Sequence, residues 1–133
     1  MKVLTLIGTR PEAIKLAPVV RAPNVTLTAP LDYDAPVHVL KRCHLVVTDF
    51  GGLQEEAPGL RMPVLMPRSV TERPEAVAAG TVRLVGTRRD DVSVWTRRLL
   101  CEAEYERMAN AVIPYGDGRA AGRISEALVE AAP

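Results

Sequence analysis

The stretch Val47-Thr48-Asp49-Phe50-Gly51-Gly52-Leu53-Gln54-Glu55-Glu56 holds the densest set of residues able to do chemistry. An apolar run enters two glycines and leaves as helix-forming sequence. Backbone N–H groups uncovered by side chains and the positive end of a helix dipole then converge where a diphosphate can rest. Glu55 and Glu56 fall one turn inside that helix, and Glu56 shares a face with Gly52, from which it can accept hydrogen bonds from two ribose hydroxyls. The same residues also read as a tight turn followed by glutamates that favour a helix N-terminus. The motif by itself leaves both readings open.

Gly8-Thr9-Arg10 is a second turn of this kind, with Lys15 further along the helix it opens. Two cations there can meet a phosphate, or can simply be solvated on an amphipathic helix. Arg10-Pro11-Glu12-Ala13 is echoed by Arg73-Pro74-Glu75-Ala76, which helix-start chemistry explains without an internal repeat. In each copy a guanidinium sits beside a positive helix N-terminus, a crowding of charge that an anion would offset. The chain has neither GxGxxG nor a phosphate-loop lysine motif. Cys43 and Cys101 lack CxxC spacing and a histidine cluster, so reduced, mostly buried thiols are expected rather than a zinc site. His38 and His44 read as helix-face or strand residues.

Strands are expected at Val3 to Ile7, Val25 to Leu27, His44 to Thr48, Pro63 to Met66 and Thr81 to Val85, each a short apolar run closed by glycine, proline or a polar turn. Helices are expected from Thr9 to about Val20, from Leu53, from Arg73 to Ala79, and from Asp90 onward. In that last region Val92, Trp95, Leu99 and Leu100, then Tyr105, Met108 and Ala109, recur at helical spacing. A final helix from Asp117 or Gly118 is expected to bury Ala121, Ile124, Ala127 and Leu128. Strands alternating with helices give an α/β domain with a mostly parallel sheet and helices on both faces. The first strand is expected to pair beside Val25 to Leu27 or His44 to Thr48, since an unpaired apolar strand leaves an adhesive edge.

A chain of 133 residues with 47% hydrophobic and 25% charged residues suits one globular domain with a real core. Seventeen basic against 16 acidic side chains leave a net charge of +1, too little field to draw nucleic acid or an anionic membrane. Aromatics at 4% are too few for a base-stacking platform. The expected partner is a small ligand. The apolar run at the N-terminus is too short for a signal peptide or membrane span, so the expected location is cytoplasmic.

Four stretches, GTRPEAIKLAP at 8–18, GGLQEEAPGL at 51–60, TERPEAVAAGTVRLVGT at 71–87 and PYGDGRA at 114–120, occur in that order. Together they resemble the non-hydrolysing UDP-N-acetylglucosamine 2-epimerases of bacterial envelope polysaccharide synthesis. The similarity runs over positions 1–21 and about 24–131. It implies a partial Rossmann-like fold of GT-B type in a single domain. Residues 1–22 would be the first strand and helix of the family's N-terminal domain, and 23–133 the second half of its C-terminal nucleotide-binding domain. The implied reaction is reversible isomerisation of UDP-N-acetylglucosamine to UDP-N-acetylmannosamine through elimination and re-addition of UDP, with no cofactor and no metal.

The resemblance places Arg10 and Lys15 toward the nucleotide sugar, Gly51 and Gly52 on the diphosphate, Glu56 on the ribose, and Arg73 at the nucleotide site. Three positions depart from the family: Phe50 stands for a phosphate-binding serine, Pro36 for the aromatic that stacks on uracil, and Ile113 for an asparagine. The family's acid-base carboxylates and phosphate-side histidine belong to a segment this sequence lacks. The reading is therefore an epimerase relative with impaired catalysis. The alternative is a non-catalytic remnant that binds UDP or a UDP-sugar weakly, or binds a partner, including a second copy through the exposed former domain interface.

Overall fold

The computed structural model describes residues 2–6, 25, 26, 28, 29, 31, 32 and 34–131. Its strands are β1 (Val3–Leu6), β2 (Leu45–Thr48), β3 (Val64–Met66) and β4 (Val82–Leu84). They form one parallel sheet in the order β1-β2-β3-β4. β1 lies beside β2, with Val3 opposite Leu45 and Leu6 opposite Thr48. The first strand thus takes one of the two places expected for it. Val25 and Thr26 belong to no strand, which corrects the second strand of the sequence reading; Ile7 and Leu27 lie outside the described residues.

Six helices accompany the sheet among the described residues: α1 (Asp34–Leu40), α2 (Leu53–Gly59), α3 (Pro74–Ala79), α4 (Arg89–Arg98), α5 (Glu102–Ala109) and α6 (Ala120–Glu130). The period-two alternation of β2 and β3 divides the core into two layers. Val46, Val64 and Met66 face one side with Leu40, Leu53, Ala57 and Ala76, so α1, α2 and α3 cover that face. Leu45, Val47 and Leu65 face the other with Leu99 and Met108, covered by α4 and α5. Both faces of the central strands are dry, which explains why their sequences are continuous apolar runs rather than alternating ones. Gly80 ends α3 in the left-handed region at φ 86°, a conformation that suits glycine because it lacks a Cβ.

Two packing expectations are corrected. α6 is exposed along its whole length, with Ile124 at 59% and Leu128 at 68%; its apolar period sets a face but not a partner. Cys101 is exposed and Cys43 half-buried, both free thiols.

Candidate functional site

The carboxyl ends of β2 and β3 meet two turns that are tied together by side chains. After β2, Asp49 is buried, and its carboxylate pairs with the Arg68 guanidinium from the turn after β3. A second Arg68 nitrogen donates to the Asp49 carbonyl at 3.1 Å. Thr71 Oγ1 donates to Gln54 Oε1 at 2.8 Å, and Arg73 Nε donates to Glu55 Oε1 at 2.6 Å. Each link joins residues 17 to 19 positions apart, so residues 68–73 are fastened onto the first turn of α2.

Within that frame, the Phe50 amide donates to Thr48 Oγ1 at 3.0 Å, and the Gly51 and Gly52 carbonyls accept from Gln54 and from Glu55 and Glu56. The Gly51 and Gly52 amides make no hydrogen bond among the described residues. Gly52 has φ −59° and ψ −36°, which any residue adopts, so space rather than backbone freedom is at stake there. A Cβ on Gly51 would meet nothing within 4 Å, whereas one on Gly52 would lie 3.1 Å from the Phe50 ring and 3.7 Å from Glu56 Oε1. The Phe50 ring is 46% exposed and leans over the second glycine, with the Glu56 carboxylate on the same side.

Arg73 stands at the N-cap of α3 with φ −124° and ψ 64°, and Pro74 opens the helix, as its sequence predicts. Part of its charge is met by the Glu55 carboxylate at its Nε, an anion supplied by the first turn of α2. The hydrogen bond and charge of Glu55 raise the Arg73 pKa further above its ordinary value, so this guanidinium stays charged. Tyr115 joins the same cluster. Its pKa is raised by burial and by Glu75 and Glu55, an effect Arg73 partly opposes. Its ring packs on the core layer beneath α2 and α3.

The structure therefore brings Gly51, Gly52, Glu56 and Arg73 to one edge of the sheet, while Arg10 and Lys15 lie outside the described residues. Sequence reasoning singled out neither Arg68 nor Tyr115. Tyr115 stands inside the PYGDGRA stretch, and that context was the available signal; nothing local marked Arg68. His44 is structural, with Nε2 2.8 Å from the Leu99 carbonyl and its ring stacked on Tyr105. Among the described residues no group of three acidic, histidine or cysteine side chains is placed to hold a metal, and no helix is long and apolar enough to cross a membrane. A groove of about 220 Å³ lies at the β4 edge between Gly80, Arg83, Trp95 and Met108 and contains none of the residues above.

The chain matches the family model described as UDP-N-acetylglucosamine 2-epimerase over residues 4–129. It is 54% identical over 106 residues to the UDP-N-acetylglucosamine 2-epimerase of Escherichia coli, a match covering 79% of this chain and 28% of that protein. The fold resembles the Neisseria meningitidis UDP-GlcNAc 2-epimerase bound to UDP-GlcNAc, with TM-score 0.76 and 39% identity over 96% of this chain and 36% of that one. It also resembles the Methanocaldococcus jannaschii UDP-GlcNAc 2-epimerase in complex with UDP-GlcNAc and UDP, with TM-score 0.69 and 29% identity over 86% and 31%. The chain spans less than a third of the length of the curated relatives it matches.

Proposed function

Because this chain belongs to the UDP-N-acetylglucosamine 2-epimerase family, we propose that it binds the diphosphate of UDP or a UDP-N-acetyl sugar at the Gly51–Gly52 turn and does not itself turn substrate over. One observation carries this reading: the turn after β2, the turn after β3 and Tyr115 converge at the carboxyl edge of a parallel sheet, where open α/β sheets take their ligands. The Gly51 and Gly52 amides and Arg73 supply the anion contacts, and Glu56 the ribose contact. Arg10 and Lys15 complete the set in the resemblance. On this reading residues 1–22 descend from the family's first strand and helix and 23–133 from the second half of its nucleotide-binding domain.

Isomerisation in an envelope-polysaccharide pathway is the family-level role this site derives from. Proton abstraction at the sugar needs a positioned base, worth roughly 10²–10⁴-fold in rate. Asp49 is committed to Arg68, and Glu55 to Arg73. Calorimetric titration with UDP tests the binding. Phe50→Ser should tighten it by clearing the ring from Gly52, and Arg73→Ala should weaken it several-fold. If neither substitution changes binding, or UDP fails to bind even to the serine variant, the diphosphate reading falls.

A further inference from the structure

The groove at the β4 edge is separate from the Gly51–Gly52 turn and combines charge with apolar walls. The ladder to β3 sets how it opens. The Val64 amide donates to the Thr81 carbonyl at 3.4 Å and the Val85 amide to the Met66 carbonyl at 2.9 Å, with Val64 opposite Val82 and Met66 opposite Leu84. Parallel pairing in that phase turns the Val82 amide and carbonyl away from β3, toward the free edge. Val82 is 1% exposed, and neither group has a hydrogen-bond partner among the described residues. Buried backbone donors without a partner are rare in folded proteins.

Charge gathers at the same place. Side chains alternate along β4, so Arg83 leaves on the face opposite Val82, where its guanidinium carbon lies 4.1 Å from the Trp95 ring centroid. Arg98 approaches the same ring at 4.7 Å, and Arg107 lines the groove beside Met108. Arg107 pairs with Glu104 at 2.6 Å, whereas Arg83 and Arg98 have no carboxylate partner among the described residues. An anion would offset that imbalance. Val77, Trp95 and Met108 supply apolar surface around the charges. The groove's 220 Å³ exceeds the volume of about 150 Å³ that is known to hold a benzene ring.

We propose that this groove binds a small aromatic carboxylate, its ring against Trp95, Val77 and Met108 and its carboxylate on Arg83 and Arg107. Stacking on Trp95 uses only the face of the Arg83 guanidinium and leaves its N–H edge for the carboxylate. The same carboxylate offers an acceptor to the Val82 amide. An inorganic anion would meet the charges and leave the apolar walls wet, while a neutral ring would cover the walls and leave Arg83 without a counter-charge.

Benzoate is the probe and Trp95 the reporter, since it is the only tryptophan in the chain. Titration of the full chain should change Trp95 fluorescence saturably, with a Kd in the submillimolar to millimolar range. Arg83→Gln and, separately, Arg107→Gln should each weaken benzoate roughly tenfold, as expected when a charge-assisted hydrogen bond is lost, with circular dichroism unchanged. Benzamide, which keeps the ring without the charge, and acetate, which keeps the charge without the ring, should both bind far more weakly. Nuclear Overhauser contacts should join the benzoate ring to the Met108 methyl group, and saturating UDP should leave the benzoate titration unchanged. An unsaturable response, an affinity unmoved by either substitution, or benzamide or acetate binding as tightly as benzoate would overturn the proposal. Displacement of benzoate by UDP would overturn it too, by moving the probe to the Gly51–Gly52 turn. None of these failures touches the diphosphate reading, which rests on UDP binding at the other turn.

Discussion

Arg68, paired with the buried Asp49, shows how a site can rest on a residue that sequence inspection passes over. Gly51, Gly52, Glu56 and Arg73 are legible because each sits in a strand-to-helix turn whose chemistry is local. Arg68 is not, since its role comes from a contact 19 residues away that no periodicity encodes. Arg68→Met should take the Arg68 cation from a buried carboxylate and lower stability by about 2–3 kcal/mol, less than for a fully buried pair because Arg68 is partly solvated. Urea unfolding followed by circular dichroism reads this. Arg68→Lys should recover only part of the loss, because an ammonium cannot reach both the Asp49 carboxylate and its carbonyl. An unchanged midpoint in the methionine variant would mean that the turn after β3 is held by Thr71 and Arg73 alone.

Tyr115 carries a pH dependence at the same scale. Burial first, then Glu75 and Glu55, raise its pKa above the ordinary value. A raised acid favours the neutral phenol in the folded chain, so its stabilising share is complete below the unfolded tyrosine pKa of about 10. That share is lost as pH climbs through the folded value. Tyr115→Phe should therefore flatten the fall in stability at alkaline pH while leaving neutral stability little changed. Unfolding midpoints measured across the alkaline range decide it, and an identical decline in both proteins would remove Tyr115 from the cause.

At the level of elements, strands were legible where apolar runs are long enough to be buried on both faces, as in β2 and β3. The run at Val25 and Thr26 has the composition of a strand but no sheet position, because β1 takes the place beside β2. α1 was missed because Pro36 reads as a breaker. It stands in the first turn, where a missing N–H costs nothing. α6 was seen, but its burial was misjudged: period fixes which residues share a face and is silent on what covers them.

β1 pairs along its whole length but is an edge strand among the described residues, with Val3 exposed. Hydrogen exchange should show slowed amides at Leu4 and Thr5, with less protection than at Val46 and Leu65 in the sheet interior. Free exchange of the β1 amides would mean that the strand detaches in solution.

Taken as a whole, the molecule keeps a covered parallel sheet and the turns at its carboxyl edge, and the consequence for ligand choice can be measured. On the proposed reading, phosphate contacts at the Gly51–Gly52 turn come from backbone amides and Arg73 and do not depend on the base. Pro36, half-buried in α1 and standing in the resemblance where an aromatic stacks on uracil, offers no aromatic ring, and such stacking is worth about 1–3 kcal/mol per base. Without it, UDP, CDP and ADP should bind this chain with affinities within a few-fold of one another. The binding should weaken steeply with added salt, as expected for an exposed charged contact. UDP-N-acetylglucosamine should bind no more tightly than UDP, and proton NMR of its anomeric signal should show no manno epimer accumulating. Competition titrations at two ionic strengths, followed by prolonged incubation of the sugar nucleotide, measure all of these in one series. A clear preference for UDP over ADP would show that another group has taken over recognition of uracil. Turnover abolished by Asp49→Asn, or by Glu72→Gln at the exposed carboxylate preceding Arg73, would identify a base within this chain and make it an enzyme in its own right.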